Sequence, residues 1–88
     1  KPLFPEAYAN RGNALGKLGR FEEAVADYTQ AVRVNPRYAQ AYLARANAYM
    51  QLGRFKEAWD DVRIIQRFGY NIDPAFLEKL RTTSGTTE

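Results

Sequence analysis

The heptapeptide Leu-Gly-Arg-Phe-Glu-Glu-Ala at residues 18–24 returns as Leu-Gly-Arg-Phe-Lys-Glu-Ala at residues 52–58, 34 residues later. When the comparison is extended outward without gaps, residues 5–38 and residues 39–72 are identical at 13 of 34 positions. Self-similarity at a fixed period is the signature of repeat architectures, in which each copy buries its apolar face against the next copy. The chain therefore contains two copies of one structural unit.

Each copy has the pattern of two helices joined by a glycine turn. Apolar and aromatic residues recur at helical spacing over residues 6–18, 22–34, 40–52 and 56–68. Gly19 and Gly53 follow the first helix of each copy, where glycine tolerates the left-handed backbone that ends a helix. Asn35 and Pro36 end the second helix of the first copy, because proline cannot continue a helix. No segment alternates with the period of a strand, and we predict an all-α fold.

The segments outside the two copies are short. Asp73 and Pro74 suit the cap and the first position of a helix, which predicts a closing helix over residues 73–81. Residues 82–88 have no apolar periodicity and are predicted to be a disordered tail. Residues 1–4 form a lead-in to the first copy.

With these residues placed, the chain resembles the tetratricopeptide repeat family. The first copy matches the family pattern with Tyr8, Gly12, Leu15, Gly19, Phe21, Ala24, Tyr28, Ala31 and Pro36. The second copy matches it with Tyr42, Ala46, Tyr49, Gly53, Phe55, Ala58 and Val62. It departs from the pattern at Ile65 and Tyr70, which indicates that no regular third copy follows. The resemblance implies antiparallel helix-turn-helix repeats stacked as part of a right-handed superhelical α-solenoid, with about five helices and a capping helix at the end.

In that family the first helices of successive repeats line a concave groove that binds peptides or partner helices. The resemblance implies a groove wall that contains Asn10, Asn13, Lys17, Gln40, Leu43, Asn47, Met50, Gln51, Leu77 and Arg81. Within each helix these positions also share one face by their spacing. The amide side chains each offer a donor and an acceptor, which suits pairing with the main chain of an extended peptide.

Two groups of these residues allow more than one interpretation. Asn13 and Asn47 occupy the same position in both copies and are the strongest contact candidates, although a role as ordinary solvated residues has equal weight. Leu43, Met50 and Leu77 either form an apolar pocket in the groove or pack against a neighbouring repeat. The charged clamp with which some family members hold a C-terminal carboxylate is not matched, because only Asn13 of that set is kept.

The composition removes most catalytic chemistries. The chain has no cysteine and no histidine, so it lacks the commonest general base and the usual transition-metal ligands. Asp60 and Asp61 are adjacent, and adjacent side chains on a helix diverge by about 100°. Asp60 is instead placed to pair with Lys56 and Arg63. We therefore predict a chain that is not an enzyme and that has no cofactor and no metal.

The net charge and the apolar pattern limit the kinds of partner that the sequence predicts. The net charge is +3, and the nine arginines are interleaved with acidic residues, which favours a solvated surface over nucleic-acid binding. No apolar run approaches the roughly 20 residues that span a bilayer, and no signal segment is visible. We expect no membrane insertion and a soluble chain, cytoplasmic by default. The start at Lys1, without a methionine, suggests a segment of a longer protein.

The sequence thus predicts a scaffold that binds a protein or peptide partner, whose identity it leaves open. The alternative is a self-association module, a homodimer formed through the exposed edge of the repeats. This alternative rests on size, because about three repeats are usually needed for a stable stack.

Overall fold

Five α-helices form the part of the chain that the computed structural model describes, residues 4–85. They are α1 Pro5–Lys17, α2 Phe21–Val34, α3 Ala39–Gln51, α4 Phe55–Arg67 and α5 Pro74–Ser84. The described residues contain no strand, which confirms the predicted all-α fold. The first four helices begin and end within one residue of their predicted positions.

The helix ends have the predicted backbone chemistry. Gly19 and Gly53 have φ angles of 78° and 75°, in the left-handed region that favours glycine. The second helix ends at Val34, and Asn35 is extended ahead of Pro36. Local sequence signals therefore divide both copies into helix pairs.

The helices pack in chain order, α1 on α2, α2 on α3 and α3 on α4, and α5 packs on α3. This neighbour-to-neighbour packing is that of a helical repeat solenoid. The small residues Ala24, Ala46 and Ala58 are completely buried, which lets the helix backbones approach closely. No helix within residues 4–85 is both long enough and apolar enough to cross a membrane.

The closing helix starts as predicted but ends later. The carboxylate of Asp73 accepts a hydrogen bond from the backbone N–H of Ala75 at 2.9 Å and caps the helix. The helix then continues through Ser84, so residues 82–84 are helical and the predicted tail is wrong there. The indole N–H of Trp59 donates to the Ser84 hydroxyl at 3.3 Å, a long-range contact that periodicity does not reveal.

Leu80 is completely buried, so α5 covers part of the last helix pair. Gly85 ends the helix with a φ angle of 72°. The predicted lead-in at residues 1–3 and the predicted tail at residues 86–88 lie outside the described residues.

Candidate functional site

An open depression of about 450 Å³ lies between the C-terminal halves of α1 and α3. We call it the amide depression, and its lining residues are Asn13, Gly16, Lys17, Phe21, Tyr28, Ala44, Asn47 and Gln51. It brings together four of the predicted site residues, which are Asn13, Lys17, Asn47 and Gln51. Equivalent positions of the two repeats therefore face one space.

The side chain of Asn13 is held by a hydrogen bond from α2, the second helix of its own repeat. The hydroxyl of Tyr28 donates to the Oδ1 atom of Asn13 at 2.5 Å. Burial raises the pKa of Tyr28, and the charge of Asp27 raises it further, so the phenol remains a donor well above neutral pH. Because its oxygen accepts this bond, Asn13 keeps its amide N–H groups to offer a ligand.

Asn47 occupies the equivalent position in the second repeat but is not held in this way. The residue that corresponds to Tyr28 there is Val62, which has no hydroxyl. Asn47 is exposed and forms no side-chain hydrogen bond with any residue in the 4–85 range. Its amide oxygen and nitrogen are both available to a ligand.

The electrostatics of the amide depression are simple. Lys17 lies in the last turn of α1, is exposed, and has no ion pair within the described part of the chain. None of the residues that line the depression is Asp or Glu. The depression therefore offers amide groups and one uncompensated positive charge.

A second depression, of about 490 Å³, lies where the loop after α2 and the loop after α4 meet the start of α3. We call it the loop pocket, and its lining residues are Asn35, Arg37, Tyr38, Ala39, Gln40, Leu43, Ile65, Tyr70, Asn71 and Ile72. It contains the predicted residues Gln40 and Leu43. The other eight were missed because they come from loops, from the first residue of α3 and from the core of α4, and the spacing of residues on one helix face does not indicate such positions.

The two depressions share one face of α3. Gln40 and Leu43 line the loop pocket, and Ala44, Asn47 and Gln51 line the amide depression. Leu43 and Ala44 are adjacent, and each of the other steps along this set is three or four residues, so the five positions form a continuous stripe along the helix. At about 1.5 Å per residue, the stripe is about 16 Å long from Gln40 to Gln51.

Met50 lines neither depression, and its burial agrees with the packing interpretation of this residue. Met50 is 4% exposed and belongs to the same buried cluster as Ile65 and Leu80. Met50 lies on the same helix as Asn47, but it shares this buried cluster with residues of α4 and α5 and has almost no contact with solvent. Leu77 is half-buried, packs against this cluster and lines neither depression.

Two further predicted residues also line neither depression. Asn10 is exposed on the N-terminal half of α1. Arg81 lies on α5, where its guanidinium donates to the Glu78 carboxylate at 2.6 Å. The structure therefore divides the predicted wall, with four residues in the amide depression, two in the loop pocket and four in neither.

The adjacent carboxylates on α4 diverge as expected. Asp60 pairs with Lys56 at 3.8 Å and with Arg63 at 2.5 Å, which confirms the predicted partners. Asp61 is buried and pairs with Arg45 of α3. The two carboxylates therefore serve different contacts and do not share a site.

A family model described as TPR repeat matches residues 12–53. The matched range runs from the middle of α1 to the turn after α3 and includes every residue that lines the amide depression. No curated protein matches the chain.

Proposed function

This chain belongs to the tetratricopeptide-repeat family, and we propose that its amide depression binds an extended peptide segment of a partner protein. The repeats of this family generally mediate protein–protein interaction and form a non-catalytic scaffold. The proposal therefore assigns the chain a binding role, with no bond made or broken in the ligand.

The observation that carries this proposal is the pair of asparagines in one depression. Asn13 and Asn47 come from equivalent positions of two repeats and line the same space. An extended main chain presents a donor and an acceptor at every residue, and an amide side chain can pair with both. The bond from Tyr28 holds Asn13 in place before the ligand arrives, which lowers the ordering cost of binding.

A phage-displayed library of random octapeptides tests the proposal. The wild-type chain is expected to enrich peptides, and the double variant Asn13→Ala with Asn47→Ala is expected to lose them. Asn10→Ala is the matched control, because it deletes the same amide from an exposed position of α1 outside the depression. Circular dichroism of each variant separates lost binding from lost folding.

Failure to enrich any peptide would refute peptide binding. Enrichment that the double variant retains would place the binding surface elsewhere on the chain.

A second candidate, self-association through the outer face of α1, is favoured by one observation. Arg11 and Arg45 are equivalent, yet the Arg11 side chain is 58% exposed whereas that of Arg45 is 15% exposed. The difference arises because α2 packs against α3, while among the described residues no helix precedes α1. Sedimentation velocity at several concentrations tests this candidate, and a monomer at every concentration would exclude it.

A further inference from the structure

The loop pocket has a chemical character that the amide depression lacks. Leu43, Ile65 and Ile72 give it an apolar lining, and Ile65 and Ile72 are themselves buried. Tyr70 also lines it and is 54% exposed, which is high for a large aromatic side chain. Pockets that bind small groups are typically about 300–1,000 Å³ with mostly apolar linings and a few polar groups. The volume of about 490 Å³ lies in that range.

The polar part of the loop pocket is held in place before any ligand binds. The hydroxyl of Tyr42 donates to the carbonyl oxygen of Pro36 at 2.9 Å. The backbone N–H of Arg37 donates to the side-chain oxygen of Asn35 at 3.2 Å. The Arg37 guanidinium lies over the ring of Phe68, 4.6 Å from its centroid. This loop therefore presents its polar groups at low ordering cost.

The charge of Arg37 is uncompensated. Arg37 is exposed and has no carboxylate partner anywhere in residues 4–85. No Asp or Glu lines the loop pocket, and none lines the amide depression, where Lys17 is also unpaired. Each end of the α3 stripe therefore carries one cation next to amide groups, and this arrangement is complementary to a ligand with carboxylates.

We propose that the loop pocket binds a large apolar residue of the same extended peptide, and that Arg37 holds a carboxylate next to that residue. This proposal rests on the proposed function, because it adds a second contact to a peptide that already lies in the amide depression. The apolar side chain lies against Leu43 and Ile72, and the guanidinium donates to the carboxylate. Lys17 then attracts an acidic residue at the far end of the peptide.

The length of the stripe determines the spacing of these groups in the ligand. Gln40 and Gln51 are about 16 Å apart along α3. An extended chain advances about 3.3 Å per residue, so the stripe accommodates about five residues. The ligand class is therefore a short acidic segment whose apolar anchor and adjacent carboxylate lie four or five residues from a second carboxylate.

Fluorescence anisotropy with synthetic hexapeptides tests this inference. The probe is labelled, amidated Glu-Ser-Thr-Ser-Leu-Asp, together with the same residues in reverse order, so that both chain directions are tested. Because exposed charge pairs contribute little each, we expect the acidic probe to bind about fivefold more tightly than its Gln and Asn analogue. Replacing the leucine of the probe with serine is expected to weaken binding about tenfold.

Variants of the chain assign these effects to residues. Arg37→Gln is expected to weaken binding of the acidic probe about threefold and to leave binding of the neutral analogue unchanged. Arg67→Gln is the matched control, because it removes the same charge from an exposed position that lines neither depression. A peptide that ends at leucine with a free carboxylate offers the same chemistry from a chain terminus. The peptide that loses more affinity in the Arg37→Gln variant shows whether the pocket holds a side-chain carboxylate or a C-terminal carboxylate.

The outcomes separate this inference from the proposed function. If library peptides bind in a manner that depends on Asn47 but show no preference for an apolar residue beside a carboxylate, the loop-pocket proposal is wrong and the proposed function stands. Equal binding of the acidic and neutral probes, or equal effects of Arg37→Gln and Arg67→Gln, would also overturn it. If no peptide binds, both proposals fail.

Discussion

At the scale of single residues, the absence of a side chain on Gly12 makes room for the ring of Tyr28. A Cβ atom on Gly12 would lie 2.8 Å from the Cε1 atom of Tyr28, closer than such atoms approach in proteins. The equivalent positions of the second repeat hold Ala46 and Val62, both buried. There the first helix has the larger residue, Ala in place of Gly, and the second helix has the smaller one, Val in place of Tyr. The same tyrosine holds Asn13, so the packing of the first repeat and the geometry of its binding surface depend on one side chain.

We expect Gly12→Ala to lower the free energy of unfolding by about 1–3 kcal/mol, because the added methyl group overpacks the helix pair. Gly16→Ala is the control, since a Cβ atom there meets nothing within 4 Å. It should raise the free energy of unfolding by about 0.5–1 kcal/mol through helix propensity. Urea unfolding followed by circular dichroism measures both. Tyr28→Val in the Gly12→Ala background copies the pair of the second repeat and should recover stability.

At the scale of helices, one arginine connects three of them. Arg45 of α3 donates to both carboxylate oxygens of Asp61 on α4, at 2.9 and 2.7 Å, and to the Thr29 hydroxyl of α2 at 3.1 Å. Arg11 makes the same two-bond contact with Asp27 in the first repeat, where the carboxylate is also buried but the guanidinium is far more exposed than that of Arg45. Burial raises the pKa of Asp61, and the hydrogen bond and charge of Arg45 oppose that rise.

We expect Arg45→Met to lower the free energy of unfolding by about 3–5 kcal/mol, because it leaves the Asp61 carboxylate buried without a partner. Arg11→Met should cost less, because the Arg11 guanidinium is exposed and water can replace part of its contact with Asp27, although Asp27 itself is buried. Thermal and urea unfolding measure the difference. Equal losses in the two variants would show that burial does not distinguish the two pairs.

The Arg45→Met variant should also respond to pH. Without Arg45, burial and the neighbouring charge of Asp60 raise the pKa of Asp61 in the folded state further above its value in the unfolded state. A raised carboxyl pKa makes the folded state bind the proton more tightly than the unfolded state does. The loss of unfolding free energy in the variant, relative to wild type, should therefore shrink as the pH falls towards that pKa and grow as the pH rises. Unfolding measured across the acidic range tests the sign.

At the scale of the whole molecule, α5 packs against the second repeat. It packs on α3, and its completely buried Leu80 belongs to the same core cluster as Met50. The indole of Trp59 reaches Ser84 near the end of this helix. In a repeat stack the outer face of the last helix pair needs a cover that shields its apolar residues from water, and we expect α5 to provide it.

We expect Leu80→Ala to lower the free energy of unfolding by about 2–5 kcal/mol, since it removes a completely buried side chain. Leu18→Ala is the matched control and should change little, because Leu18 is 70% exposed. The chain has a single tryptophan, so a red shift of its emission in Leu80→Ala reports loss of α5 from Trp59. Unchanged emission and stability would show that α5 does not act as a cap.

The sequence by itself determined the helices and their order. The repeated heptapeptide, the glycines with positive φ and the proline after α2 act on the backbone within a few residues. Their effect is therefore readable without tertiary contacts. Of the predicted groove wall, Asn13 and Asn47 came together because equivalent positions of stacked repeats point the same way.

Only the tertiary structure decided which residues of that wall remain accessible and how they are oriented. Met50 is buried in a cluster that also contains Leu80 of α5, 30 residues later in the chain. Asn13 is oriented by a hydroxyl 15 residues away, and the loop pocket joins loops that are more than 30 residues apart. Periodicity reports which face of one helix is apolar. It does not report what covers that face, because burial depends on contacts between distant parts of the chain.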